Sequence, residues 1–177
     1  MNIARANKQL QEFVEKENVP VVTTIMGKGA IPTTHPLYIG NCGMHGKYAA
    51  NIAVTECDVL FSIGTRFNDR ITGDLNEFAP HAKIVHIDVD TASISRNVVV
   101  DVPVVSDAKT ALEKLIEWAE PKKTEKWLEQ IRQWDEENPL AMCRDRGISP
   151  QMIMEHINKE FPHSISVSYT HLTLPTT

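Results

Sequence analysis

Cysteine is scarce in this chain. It has three, Cys42, Cys57 and Cys143, in 177 residues, and no C-x-x-C pair. The odd count points to free thiols in a reducing compartment, with cytoplasm as the default location. Long apolar runs are also missing, since nothing approaches the roughly 18 residues needed to cross a membrane. The opening Met1-Asn2-Ile3-Ala4-Arg5 lacks the apolar stretch of a signal peptide. Basic charge is in deficit: 18 Lys and Arg stand against 23 Asp and Glu, a net charge of −5. That argues against nucleic acid, whose phosphates want a basic face. There is no Walker A loop and no G-x-S-x-G. Gly27-Lys28-Gly29 begins a dinucleotide fingerprint, but its third glycine position is Pro32.

What is present is ordinary in bulk and specific in detail. A hydrophobic fraction of 42% and a charged fraction of 23% describe a globular protein, of a size for one domain or one domain plus part of another. Residues 3 to 18 read as an amphipathic helix with Ile3, Ala6, Leu10, Phe13 and Val14 on one face, ended by Asn18 and Pro20. Residues 20 to 25 form a β-branched strand. A long loop follows from Met26 to about His45, rich in fixed turn residues and read as functional. A helix over 47–55 leads to a buried strand at 58–63. Further strands are expected at 83–87 and 98–105, with a short helix near 91–96 between them. Pro103 marks the last strand as an edge. A helix from Asp107 to about Trp118 begins with a carboxylate suited to cap and dipole.

This alternation predicts an α/β fold with a Rossmann-like parallel sheet flanked by helices. In such sheets ligands sit beyond the carboxyl ends of the strands. The unusual residues fall there: Thr24 to Gly29, Gly64 to Gly73, Asp88 to Asp90, and Ser106-Asp107. The richest segment is Gly64-Thr65-Arg66-Phe67-Asn68-Asp69-Arg70-Ile71-Thr72-Gly73. Two guanidiniums between two glycines suit an anionic or nucleotide-like ligand, because planar forks bind phosphate bidentately. The alternative is a solvated network of Arg66 and Arg70 with Asp69, Asp74 and Glu77. Gly43-Met44-His45-Gly46 ends at a helix start, a natural place for backbone N–H groups to face an anion, and His45 suits a structural or a ligand-facing role equally. Asp88 suits a ribose hydroxyl or a strand-end turn equally. His81, His86, Asp88 and Asp90 offer no second pair of metal ligands, so no metal site is assigned. No catalytic constellation is complete.

Beyond Trp118 the pattern changes. Residues 121–146 read as a linker carrying a polar helix over 124–137, with Trp127 and Trp134 on one face. Residues 147–167 read as the start of another domain, with Ser149 as N-cap, Pro150 at the first helical position and Met152, Ile153, His156 and Ile157 on a buried face. Residues 168–177 read as a non-native tail.

Taken together, Thr23-Thr24-Ile25-Met26-Gly27-Lys28-Gly29, Gly43-Met44-His45-Gly46 with Ala50-Asn51, Arg66 to Gly73, Phe78-Ala79-Pro80 and His86-Ile87-Asp88-Val89-Asp90 resemble the large-subunit family of acetolactate synthase, a thiamine-diphosphate enzyme. The resemblance runs over about residues 3 to 167. It implies that residues 1–120 are most of a central FAD-binding domain lacking its first strand, and that 147–167 begin the thiamine-diphosphate-binding domain. It implies FAD contacts from Thr24, Ile25, Met26, Met44, His45, Gly64, Thr65, Arg66, Asn68, Asp69, Arg70 and Ile71, with Asp88, Val89 and Asp107 near the adenosine end. The family's FAD is mainly structural, and the carbon–carbon chemistry belongs to thiamine diphosphate and Mg2+. The implied activity joins two pyruvates, or pyruvate and 2-ketobutyrate, with loss of CO2, in isoleucine and valine biosynthesis. The implied partners are 2-keto acids and further copies in a homodimer or tetramer, with a regulatory small subunit left open. Three departures accompany the match. The glycine-rich first strand is absent. The thiamine-activating glutamate and the metal–diphosphate motif are absent, so this piece is expected to be inactive alone. Asn68 and Ser106 stand where aspartate and glycine are common. The rival readings are another thiamine-diphosphate carboligase or decarboxylase, such as glyoxylate carboligase, and a non-catalytic nucleotide-binding module.

Overall fold

The computed structural model describes residues 1–139 and 147–161. The chain divides into two units, Met1–Pro139 and Leu140–Thr177. In the first, helix α1 (Asn7–Glu17) starts four residues later than the apolar pattern suggests. Arg5 has φ +49, a left-handed conformation that cannot continue a helix backwards, and Ile3 is left fully exposed. The rest of the predicted face holds: Leu10 and Val14 are buried and Phe13 packs beside them. Asn18 closes the helix in the left-handed region, as short polar side chains allow.

Among the described residues five strands form, each parallel to its neighbours, and they fall into two sheets. One pairs β1 (Val21–Thr23) with β2 (Tyr38–Asn41). The other orders β3 (Val59–Ile63), β4 (Lys83–Asp88) and β5 (Val102–Val105) side by side. The fold is thus α/β with parallel sheets flanked by helices, as the alternation of elements predicts. β2 was not expected, because Gly40 and the turn residues around it hide a four-residue strand inside the long loop. The last strand begins at Val102, and the expected helix near 91–96 is a series of turns. Pro103 does lie on an edge strand, opposite His86.

Two apolar clusters hold the first unit together. Leu10, Val14, Ile31, Leu37, Leu112 and Leu128 form the larger, where α1 meets α4 (Ala108–Trp118). Phe13 of α1 packs against Phe61 of β3 with ring centroids 5.5 Å apart. The second cluster places Ala49 and Ala53 of α2 (Tyr48–Glu56) on Ile131 of α5 (Glu125–Glu137), flanked by Trp127 and Trp134. The two indoles share one helix face, as their seven-residue spacing predicts, and sit edge to face at 5.5 Å. Lys47 and Asp135 join the same pair of helices at 2.7 Å. The helix of segment 121–146 therefore packs on the body of the unit.

In the second unit, α6 (Pro150–Glu160) has the expected cap, with Ser149 Oγ accepting the Met152 N–H at 3.2 Å. Its expected buried face is not seen: no residue of α6 is buried, and Ile153 is about half exposed. Segments 140–146 and 162–177, including the tail expected at 168–177, lie outside the described residues.

Candidate functional site

Backbone hydrogen bonds link the strand ends of the first unit into one rim. Cys42 N–H donates to Thr23 O at 2.9 Å, joining the exits of β1 and β2. Met44 N–H donates to Arg70 O at 2.9 Å, joining the β2 exit to α3 (Asp69–Thr72), the helical turn after β3. Gly64 N–H reaches Ile87 O at 2.8 Å, and Ser106 N–H reaches Asp88 O at 3.1 Å, joining β3, β4 and β5. All five strands therefore deliver their carboxyl ends to a connected edge, although they belong to two sheets.

Each loop on the rim is set by its own sequence. Thr24 caps a 3₁₀ turn (Ile25–Gly27), its Oγ1 accepting the Gly27 N–H at 3.1 Å. The turn presents Ile25 and Met26 to solvent, 65% and 87% exposed. Asn51 clamps the next loop: its amide accepts from Gly43 N–H at 2.7 Å and donates to Gly43 O at 3.0 Å. Gly43 has φ +106, and a Cβ there would lie 2.7 Å from Arg70 O and 3.0 Å from Ile71 Cδ1, so only glycine permits this approach. Met44 and His45 are exposed beyond it. In the arginine loop, Phe67 is buried with φ +47 and sits edge-on to His86, ring centroids 5.1 Å apart. Anchored through Phe67, the loop turns Arg66 and Asn68 outward.

Arg70 is exposed, its Nη1 3.7 Å from Met44 Sδ and its Nε 4.0 Å from Asp69. The network with Asp74 and Glu77 does not form: Asp74 Oδ1 instead accepts from Asn76. At the β4 end, Asp88 Oδ1 accepts the Asp90 N–H at 2.9 Å and Val89 is 67% exposed. Asp107 caps α4, its Oδ1 accepting from Lys109 N–H at 2.9 Å and Thr110 N–H at 3.4 Å. One carboxylate oxygen is committed to the helix, so Asp107 has a structural task whatever ligand lies nearby.

A cleft of about 280 Å³ opens on this rim, lined by Arg66, Asn68, Ser93, Arg96 and Asn97. The last three were not picked out in the sequence. The available signal was polar residues just past a strand end, masked by the expectation of a short helix. A larger cavity, about 450 Å³, lies between α1 and residues 29–33 and contains none of the expected site residues. It is wide open and lacks paired cations, so the cleft with the arginines is the better site for an anion.

His86 is fully buried between β3 and β5, and neither ring nitrogen has a hydrogen-bond partner. Its register partner on β3 is Ser62, whose buried hydroxyl is also unsatisfied. Burial pushes the His86 pKa below its ordinary value, against the opposing pulls of Asp88, 3.8 Å away, and of the Thr65 backbone. The thiol of Cys57 is pushed up to about 11, first by burial and then by Asp58, and burial raises that of Cys42 as well. Neither is a thiolate at neutral pH, and so neither is poised as a nucleophile. Among the described residues no three His, Cys, Asp or Glu gather in a manner that could hold a metal. No described helix is long and apolar enough to cross a membrane.

The rim carries uncovered apolar side chains and cationic ones side by side. Ile25, Met26, Met44 and Val89 leave apolar surface uncovered at the strand ends, and Arg66, Arg70 and Arg96 add three guanidiniums. Open space surrounds Gly64, where a Cβ would meet nothing within 4 Å. Residues 1–115 match the family described as thiamine pyrophosphate enzyme, central domain, and the chain belongs to that family. Among curated proteins it is similar to a probable acetolactate synthase large subunit of Methanocaldococcus jannaschii, 47% identical over 159 residues. It is also similar to the acetolactate synthase isozyme 3 large subunit of Escherichia coli, 44% identical over 160 residues, and the acetolactate synthase large subunit of Cyanidium caldarium, 38% over 165. These matches cover 86–89% of this chain but only 27–28% of each relative, so the chain spans about a quarter of their length.

Proposed function

We propose that this chain is the FAD-binding central part of an acetolactate synthase large subunit. The observation that carries the reading is the connected rim, above all the Met44–Arg70 link that closes it between the two sheets. Thr24, Ile25 and Met26 would lie along the flavin. Met44, His45, Gly64, Thr65, Arg66, Asn68, Asp69, Arg70 and Ile71 would follow its length, and Asp88, Val89 and Asp107 its adenosine end. The apolar side chains exclude water from the ring system, while the arginines offset the phosphate charge. In this reading thiamine diphosphate, with Mg2+, supplies the carbon–carbon chemistry that converts two 2-keto acids to a 2-acetohydroxy acid and CO2. The residues of this chain hold and orient FAD and take no proton in that reaction. Copies of the large subunit and a regulatory small subunit are the partners the reading implies.

The experiment is incubation of the purified chain with FAD, followed by desalting. A yellow protein with a flavin spectrum supports the proposal. Retention of NAD or coenzyme A in preference to FAD would replace it with a nucleotide-binding module of other specificity.

A further inference from the structure

Three polar atoms sit buried and unanswered beneath the arginine loop. His86 of β4 and Ser62 of β3 are register partners, so their side chains share one face of the sheet. His86 is fully buried, and both its ring nitrogens and the Ser62 hydroxyl lack a hydrogen-bond partner. Packing alone does not call for an imidazole here, because an apolar ring would fill the space without stranding polar atoms. A buried orphan of this kind points to a role as a titrating group or a store of strain.

Phe67 covers the imidazole. Its ring lies edge-on to His86 with centroids 5.1 Å apart and is backed by Phe78 at 5.7 Å. Phe67 also has φ +47, a left-handed conformation that a bulky residue keeps only with outside support. Asn97 gives that support: its Nδ2 donates to Arg66 O and to Phe67 O, each at 3.1 Å. The loop is therefore strained at the residue that shields His86. Among the described residues, Asp88 is the charge that acts on the ring, its Oδ2 3.8 Å from Nε2. Ser62 on β3 and Pro103 opposite on β5 carry none, and over the ring lie Phe67 and the Thr65 backbone. The helices α1 and α4 cluster on the other face of the sheet, against Phe61 and Ile63. The closed seat suits a neutral imidazole: burial holds the His86 pKa below its ordinary value in spite of Asp88 and the Thr65 backbone.

We propose that His86 is a proton-operated latch on residues 64–73. Neutral, it seats Phe67 and the loop stays closed. Protonated, it draws water, Phe67 leaves its seat, and the loop opens while the rest of the unit stays folded. Opening also hydrates Ser62 and relieves the left-handed Phe67, so the open form recovers part of what it loses. In the open loop the ring has its ordinary pKa of 6.5, above that of the closed seat. Above pH 6.5 both forms are neutral and the latch is shut. Below it the open form takes up the proton first, and opening gains about tenfold per pH unit until the closed pKa is passed. The device belongs to the sheet and does not depend on what the rim binds, so it stands independently of the FAD reading.

The test is hydrogen–deuterium exchange of the 177-residue chain at about pH 7.5 and about pH 5.5, corrected for intrinsic rates. The reporters are the N–H groups of Ile71, Thr72 and Gly73, bonded to Asn68 O and Asp69 O. In acid they should lose severalfold to about tenfold in protection. They should also exchange ahead of α1 and α4, whose amides report global unfolding. His86→Phe should make loop protection independent of pH; His86→Leu serves if the larger ring is not accommodated. Asp88→Asn keeps the acceptor for the Asp90 N–H but removes the charge that favours the closed cation, so it should deepen the acid loss. Loop protection that ignores pH, or an acid loss that survives the His86 substitutions, would overturn the latch. So would loop amides that exchange together with α1 and α4, since the loop would then open only when the unit unfolds.

Discussion

Arg70 meets Met44 twice: its carbonyl accepts the Met44 N–H at 2.9 Å, and its guanidinium Nη1 lies 3.7 Å from the Met44 sulfur. The backbone bond ties loops that leave two different sheets. The side-chain contact places a cation over a polarizable thioether beside exposed apolar surface. The Arg70 backbone is thus a fastener, and in the FAD reading its side chain would be a surface for ligand; the two roles are separable, since only the second is lost on truncation. Arg70→Ala should lower FAD affinity by about tenfold while leaving the melting temperature nearly unchanged, because exposed pairs such as Arg70–Asp69 contribute little. A fall in melting temperature without loss of FAD would assign the side chain to stability instead.

Gly43 and Gly64 both have positive φ but differ in surroundings. At Gly43 (φ +106) a Cβ meets Arg70 O at 2.7 Å, whereas at Gly64 (φ +64) it meets nothing within 4 Å. Gly64→Ala should cost only the backbone term, about 1–2 kcal/mol. Gly43→Ala should cost more, at least ~2 kcal/mol, and should also disturb the Met44–Arg70 link. Denaturant melts of the two variants side by side measure the difference; equal costs would mean that the Gly43 approach is not tight.

His86 sets a pH dependence whose sign follows from burial. Its folded pKa lies below the ordinary value of 6.5. Above that value both states are neutral and the full stability is present. As pH falls below it, the unfolded chain takes up the proton first, so stability is lost until the folded pKa is passed. The melting temperature should therefore decline below pH 6.5, before the carboxylates titrate at about pH 4. His86→Phe should flatten this region and should not destabilise the neutral protein strongly, since both ring nitrogens are unsatisfied. A slope that survives the substitution would place its origin elsewhere.

Asp107 caps α4 through two backbone N–H groups. Asp107→Ala should cost ~1 kcal/mol of stability, and Asp107→Asn much less, because asparagine also caps well. Thermal melts distinguish the two. If Asp107→Ala weakens FAD without affecting the melt, the residue serves the ligand and not the helix.

Much of the fold was legible because particular residues had few alternatives. The apolar run before Gly64, the cap at Asp107, the Ser149-Pro150 helix start and the edge position of Pro103 all follow from local chemistry. β2 was not legible: Tyr38 to Asn41 is short, contains a glycine, and gains its strand identity only by pairing with Val21 to Thr23. Ile3 has the right spacing for the α1 face, but the left-handed Arg5 turns the chain before it can join. The rim loops could be chosen from the clustering of glycine and charge beyond apolar runs. Asn97 could not, because its role depends on reaching back across about 30 residues to Arg66 and Phe67. Division of the strands into two sheets is likewise a matter of tertiary pairing and leaves no mark on local pattern.

The rim's claim to FAD is tested most directly by hydrogen–deuterium exchange of the chain with and without FAD. The account predicts slowed exchange confined to segments 24–26, 43–46, 64–71, 88–90 and 93–97, where the strand ends and the arginine cleft lie, with α5 unaffected. Protection instead around α1 and residues 29–33, where the larger cavity lies, or no protection anywhere, would contradict it.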